Sequence, residues 1–365
     1  MRSLRLCRWF GIFVFALLGS ALFGSDLAQA QEWKFTKLAD YPNALGVASP
    51  FAGQSGACLL VAGGANFPDK KPWEGGKKVW HDEVYALDEP HGQWRQVGRL
   101  PRPLAYGISA NWKDGIICVG GNDADQHVKD VFTLRYRDSE LIIESLIDLP
   151  VPLANACGAI VEGFLIVTGG IDQPTALECQ KRTWALDLRA IGANDLELHW
   201  RELDQFPGDP RMLATAAGFR NALWVIGGVA LHAGADDKPV RKYLADCWKF
   251  ELDPVSLSGH WVRQADLPSG LAASPGPAMV DGKRLWILGG DDGLQIGALP
   301  SEHRGFSKKI LGFDFEANRW TESSQELPFS RVTVPMTPWR GGWLIPSGEA
   351  KPGIRSSEVW WVNKP

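Results

Sequence analysis

The chain has 365 residues, a formal net charge of −4, 45% hydrophobic and 22% charged side chains, which is enough apolar material for a sizeable core. A mildly acidic balance with no basic run lacks the charge needed to neutralise phosphates, so nucleic acid is excluded as the expected partner. In chain order, residues 1–30 come first. Arg2, Arg5 and Arg8 precede an apolar stretch from Trp9 to Phe23, and Ala28-Gln29-Ala30 has the small-x-small form of a cleavage site. This reads as a secretory signal, with a retained membrane anchor as the alternative; the apolar stretch is short for a span. Cys7 lies before the apolar core, so it is not a lipoprotein cysteine. Cleavage removes three arginines and one aspartate and takes the formal charge to −6. The mature protein is then expected to be periplasmic or secreted, with no stable membrane association. Five cysteines remain, Cys58, Cys118, Cys157, Cys179 and Cys247. Their odd number and lack of CxxC spacing suggest mostly packing residues, although one disulfide stays open in an exported chain.

Next comes Trp33-Lys34-Phe35-Thr36-Lys37-Leu38, followed by Tyr41-Pro42. Beyond it a motif recurs roughly every sixty residues: a short apolar run ended by a glycine pair. The copies are Leu59-Leu60-Val61-Ala62 before Gly63-Gly64, Ile116-Ile117-Cys118-Val119 before Gly120-Gly121, and Leu165-Ile166-Val167-Thr168 before Gly169-Gly170. Then come Leu223-Trp224-Val225-Ile226 before Gly227-Gly228, Leu285-Trp286-Ile287-Leu288 before Gly289-Gly290, and a worn copy, Trp343-Leu344-Ile345-Pro346 before Ser347-Gly348. Such runs predict buried strands. Within each unit a second strand follows, such as 83–87 or 310–315, then in most units a Trp and a Leu-Pro-like pair: Trp94 with Leu100-Pro101, Trp200 with Phe206-Pro207, Trp261 with Leu267-Pro268, Trp320 with Leu327-Pro328. The second unit lacks the Trp but keeps Leu149-Pro150. A repeat of this length with a glycine pair after one strand is the pattern of kelch-type propeller blades, four strands each.

The last unit ends at Glu358-Val359-Trp360-Trp361-Val362 with no Trp strand after it, and 33–38 is an orphan Trp strand at the other end. The expected fold is therefore all-β: one six-bladed propeller over residues 31–365, closed by the N-terminal strand pairing with the C-terminal blade. That pairing covers two sheet edges.

Strand alternation places the connection after each Leu-Pro and the loop after each glycine pair on the same face. Asn43, Arg102, Asn155, Arg211 and Arg331 follow the proline landmarks; Asn66, Asn122-Asp123, Asp172, His232, Asp291-Asp292 and the run 349–355 follow the pairs. These residues are expected around one mouth of the central channel. Arginine forks there suit a carboxylate-bearing ligand; the plainer reading ties each Arg or Asp to a neighbouring loop. Long segments at 65–80, 229–243 and 291–306 form either a lid or solvated surface. The seven His are scattered with no HxH or HExxH, and GxSxG is absent, so neither a metal site nor a serine-hydrolase elbow is expected.

The run Gly348-Glu349-Ala350-Lys351-Pro352-Gly353-Ile354-Arg355 resembles the Gly-Glu-Ala-Lys-Pro-Gly-Leu-Arg segment of bacterial N-acetylneuraminate epimerases, the sialic acid mutarotases. Gly63-Gly64-Ala65-Asn66-Phe67, Ala105-Tyr106-Gly107-Ile108-Ser109 and Pro210-Arg211 are similar to other segments of that family. The order is circularly shifted, with the Glu-containing block at the end, which resembles a cyclically permuted subfamily. A closed ring accepts such a shift because only the cut moves. There are departures: Ser347 stands where the family has Asn, Leu104 where it has Arg (with Arg102 two positions earlier), and the loop after Gly290 is shorter. They bear on the substrate more than on the fold. The resemblance implies an isomerase acting on a small sugar, N-acetylneuraminate foremost, without a cofactor. It implies Glu349 and Arg355 as the catalytic pair; Arg211, Arg102, Asn66, Asn122 and Arg331, which stand at the landmarks around the mouth, are the substrate-binding candidates. A different sugar, or a non-catalytic propeller binding a glycan or protein partner, are the alternatives; fold alone does not decide between them.

Overall fold

The computed structural model describes residues 32–192, 198–234 and 238–364, so the expected signal segment lies outside the described residues. Among the described residues, apart from two single turns of 3-10 helix, Pro72–Glu74 and Leu188–Ala190, the regular structure is all strand. Six four-stranded antiparallel sheets form the blades of a propeller. The first contains Phe51–Ser55, Cys58–Ala62, Glu83–Leu87 and Arg95–Arg99, and the next four repeat this order along the chain. In the sixth, Thr337–Trp339, Gly342–Pro346 and Val359–Asn363 are joined by Lys34–Lys37, whose Phe35 and Thr36 lie opposite Val362 and Trp361. Beside that strand, Trp33 and Leu38 are buried, and Trp33 packs edge-on to Trp286 at 5.1 Å.

Neighbouring blades cover both faces of each second strand, which explains their continuous apolar runs. One core cluster joins Phe51, Leu60 and Ala86 of the first blade to Ile116, Cys118 and Phe132 of the second. The five cysteines are unpaired; Cys118, Cys157, Cys179 and Cys247 are buried.

The Trp and proline landmarks belong to one device. The indoles of Trp94, Trp200, Trp261 and Trp320 donate to the carbonyls of Ala39, Ile147, Asp204 and Ala265, at 3.0, 3.2, 3.0 and 2.9 Å. Each acceptor lies just ahead of Pro42, Pro150, Pro207 or Pro268, so each indole ties an outer strand to the preceding unit.

The glycine pairs have a backbone cause. Gly63 and Gly64 sit at φ +68 and +95, and a Cβ on Gly63 would stand 2.3 Å from the Leu104 carbonyl oxygen. Only glycine enters that conformation and contact without cost. In the sixth unit Ser347 holds the first position at φ +69. Its buried hydroxyl accepts from the Val47 N–H at 2.7 Å and donates to the Ser356 carbonyl at 2.8 Å, bonds that offset the strain and join the sixth blade to the first.

Two of the long segments fold into ribbons above the ring: Ala65–Asn66 pairs with Val79–Trp80, and Val229–Ala233 with Pro239–Tyr243. A shorter ribbon pairs Glu349–Lys351 with Ile354–Arg355.

Candidate active site

In every blade the inbound connection and the loop after the glycine pair touch through a single bridge: Ala48 to Ala65, Ala105 to Asn122, Ala154 to Ile171, Met212 to Val229, Ala272 to Asp291, Val332 to Glu349. The next residue in each inbound connection is left-handed. These residues are Ser49, Tyr106, Asn155, Leu213, Ala273 and Thr333, with φ between 46 and 63. Their backbones form a closed circle. Tyr106 N–H donates to Ser49, Asn155 to Tyr106, Leu213 to Asn155, Ala273 to Leu213, Thr333 to Ala273, and Ser49 to Thr333, at 2.6 to 3.1 Å. Six non-glycine residues in this region store strain that the hydrogen-bonded circle holds in place, a feature typical of functional sites. The circle surrounds a narrow channel of about 110 Å³.

Above the circle lies a cavity of about 590 Å³. Tyr106, Asn155, Leu213, Ala273 and Thr333 contribute from the circle, and the loops after the glycine pairs supply Phe67, Lys78, Trp80, Asn122, His127, Glu349 and Arg355 among others. Glu349 and Arg355 are register partners in their ribbon, so both side chains share one face. The Glu349 carboxylate is held from three directions. One oxygen accepts from the Gly353 N–H at 2.6 Å and faces Arg355 Nη1 at 3.4 Å; the other accepts from Thr333 Oγ1 at 3.3 Å. The Arg355 side chain is 4% exposed, with its guanidinium 4.9 Å above the Phe67 ring and Nη2 3.5 Å from the Tyr106 hydroxyl. Its Nε is buried with no hydrogen-bond partner among the described residues.

That under-coordination separates Arg355 from two other buried arginines. Arg211, 1% exposed, grips Asp246 with both terminal nitrogens at 2.8 Å and also donates to the carbonyls of Gly227 and Asp209. Arg331 donates to Glu358 at 2.7 Å, to Ser356 Oγ, and to the carbonyls of Ser347 and Ser330. Both forks are filled by protein and absent from the cavity lining, so the structure gives them a bracing position where substrate contact was expected. Arg102 also lies outside the lining, half-exposed between Asp130 at 3.4 Å and Asp123 at 3.7 Å. Asn66 is buried, donating to Asn43 Oδ1 and the Gly46 carbonyl and meeting His81 Nε2 at 3.0 Å. These four follow the expected landmarks, but their side chains reach acceptors in the surrounding loops and blade seams. Of the substrate-binding candidates, Asn122 is the one that lines the cavity; its Oδ1 accepts from Trp80 Nε1 at 2.9 Å.

Sequence reasoning singled out Asn155 as a landmark but missed Tyr106, Thr333, Trp80 and His127. A signal existed for the first two: Tyr106, Asn155 and Thr333 follow Pro101, Pro150 and Pro328 at one repeated spacing. His127 is buried, and its Nδ1 lies 3.1 Å from the Ile171 carbonyl, where it must be the donor. Burial lowers its pKa against the raising effects of that carbonyl, Asp172 and Asp123, so the neutral ring is favoured and Nε2 is left as an acceptor. Among the described residues no group of three His, Cys, Asp or Glu could hold a metal ion.

Residues 21–143 match the sequence model of the N-acetylneuraminate epimerase family. Over 109 residues the chain is 41% identical to the N-acetylneuraminate epimerase of Salmonella arizonae, which covers 27% of this chain and 28% of that protein. Over 110 residues it is 40% identical to the N-acetylneuraminate epimerase of Brucella suis, with the same coverage, 27% and 28%. The matches thus span little more than a quarter of these curated relatives. Among solved structures, the "Structure of YjhT" aligns at a TM-score of 0.63 and 16% identity over 90% of this chain and 99% of that one, a likeness of fold. The first two blades are similar in sequence to N-acetylneuraminate epimerases, and the ring as a whole is a six-bladed propeller of the kind seen in YjhT.

Proposed function

We propose that the protein is a mutarotase that interconverts the α and β anomers of a carboxylated amino sugar, N-acetylneuraminate foremost. The observation that carries this reading is the pairing, inside one cavity, of a carboxylate fixed by three donors with an arginine whose own donors are incompletely used. Buried unsatisfied donors are rare and call for a partner; a sugar carboxylate is an apt one.

The chemistry needs one proton removed and one supplied. Glu349 takes the proton of the anomeric hydroxyl while a solvent water gives a proton to the ring oxygen and the ring C–O bond breaks. The open keto form turns about the bond beside its carbonyl and recloses on the other face; the attacking hydroxyl returns its proton to water as Glu349 protonates the carbonyl oxygen. Arg355 orients Glu349 and draws the substrate carboxylate toward it. No step requires a cofactor.

Linear alignment ends before the Glu349 block, as a circularly permuted relative would produce, and this supports reading the chain as a permuted form of the epimerase ring. We also read residues 1–30 as a cleaved secretory signal, which puts the enzyme in the periplasm or outside the cell. Mass spectrometry of exported protein should then find an N-terminus at or near Gln31; an intact Met1 would point to a retained anchor.

Polarimetry of freshly dissolved single anomers, run over a panel of acidic and neutral sugars, tests the activity and its class. Acceleration confined to neutral sugars would remove the acidic-sugar reading. In the same assay Arg355→Lys keeps the charge but loses the planar fork. It should raise KM for the acidic sugar roughly tenfold, with a smaller effect on any neutral sugar turned over. Equal effects on both would remove the carboxylate contact from Arg355.

A further inference from the structure

Lys78 projects from the ribbon of the first blade into the cavity. Its ammonium stands 4.9 Å from the centre of the Tyr106 ring, 5.4 Å from Trp80 and 5.8 Å from Phe67. Three aromatic faces hold the cation through their quadrupoles, which position a charge without neutralising it. Four other cations near the mouth differ, and Arg241, which also lines the cavity, lies over no aromatic ring among the described residues. Arg211, Arg331 and Arg102 each face an aspartate or glutamate, and Arg355 faces Glu349. Among the described residues no carboxylate lies within ion-pair distance of Lys78, although Asp123, Asp291 and Glu349 all line the same cavity. Lys78 and Arg355 also share a platform: the Phe67 ring lies under both, 5.8 Å from the ammonium and 4.9 Å from the guanidinium carbon. Tyr106, from the strained circle, touches both as well.

We infer that Lys78 is a specificity-determining residue that receives the carboxylate of the substrate, with Arg355 as the inner half of a two-cation clamp built on Phe67 and Tyr106. The clamp holds the acid group while Glu349 addresses the anomeric hydroxyl. The aromatic faces keep the ammonium in place when the cavity is empty, so little ordering is required as the ligand arrives. The inference takes its ligand from the proposed function, and a binding titration reads it separately from turnover.

The test is calorimetric titration of the full chain with N-acetylneuraminate and with its methyl ester, which keeps the sugar and removes the charge. Wild type should bind the acid more tightly than the ester. Lys78→Met keeps an apolar stem against the three rings; it should weaken acid binding by about tenfold to a hundredfold, the range for losing one charge-assisted hydrogen bond, and leave ester binding unchanged. Lys78→Arg should retain most of the preference for the acid. Unchanged acid affinity in Lys78→Met, an equal loss for acid and ester, or wild type that binds neither would overturn the inference. Failure of the catalytic reading looks different: wild type would bind the acid with this preference and leave its anomerisation rate at the buffer value.

Discussion

Replacing Glu349 with Gln is expected to lower the catalysed anomerisation rate by about 10²–10⁴-fold, the usual contribution of a positioned general base. The substitution suits the site. The amide oxygen can still accept from the Gly353 N–H, where the carboxylate accepts at 2.6 Å, and the amide nitrogen can donate to Thr333 Oγ1 on the other side. The ribbon and the left-handed circle therefore keep their contacts, and the melting temperature should stay close to wild type. Proton acceptance is removed together with the negative charge that faces Arg355, so the loss should fall on kcat, with KM for the acidic sugar not raised. Single-anomer NMR kinetics at saturating sugar measure this. A variant that retains wild-type kcat would take the base role away from Glu349.

Deleting residues 32–38 is expected to unfold the protein at ambient temperature. The deletion removes the fourth strand of the sixth blade, with its pairs to 360–363, and takes the buried Trp33 and Leu38 out of the core. Losing one buried Trp and one buried Leu costs about 5–10 kcal/mol, a large part of the ~5–15 kcal/mol that stabilises a typical domain. It also bares a sheet edge, so the product should aggregate. Circular dichroism and light scattering read both effects. A soluble deletion variant with an unchanged melting curve would mean that the ring does not depend on this closure.

The fold was legible because each of its devices repeats. The glycine pairs recur because a tight turn against a neighbouring carbonyl admits little else, and the Trp–proline pattern recurs because each indole bonds the carbonyl ahead of a proline. Repetition also made the height of each landmark legible: six bridges of one kind join the inbound connections to the loops after the pairs. Side-chain direction was not. Arg211 and Arg331 also follow proline landmarks, two residues ahead of Leu213 and Thr333, which share the circle with Asn155; they turn to Asp246 and Glu358 while Asn155 faces the cavity. Sequence spacing fixes where a Cα sits in the ring; the acceptor within reach of the side chain decides where the charge goes. The left-handed circle was hidden for a related reason. Ser, Tyr, Asn, Leu, Ala and Thr share no composition signal; the trace they leave in the sequence is their distance from the proline landmarks, and the backbone shows what that distance means. Glu349 and Arg355 stood out in sequence through the resemblance of the run 348–355 to the epimerase segment; that a ribbon turns both side chains to one face is seen only in the structure.

The most direct test of the account is NMR exchange spectroscopy on an equilibrium mixture of N-acetylneuraminate anomers, with and without the wild-type protein. The account predicts exchange between the α and β signals that grows in proportion to protein concentration and disappears with Glu349→Gln. Exchange that stays at the buffer rate at every protein concentration would contradict it.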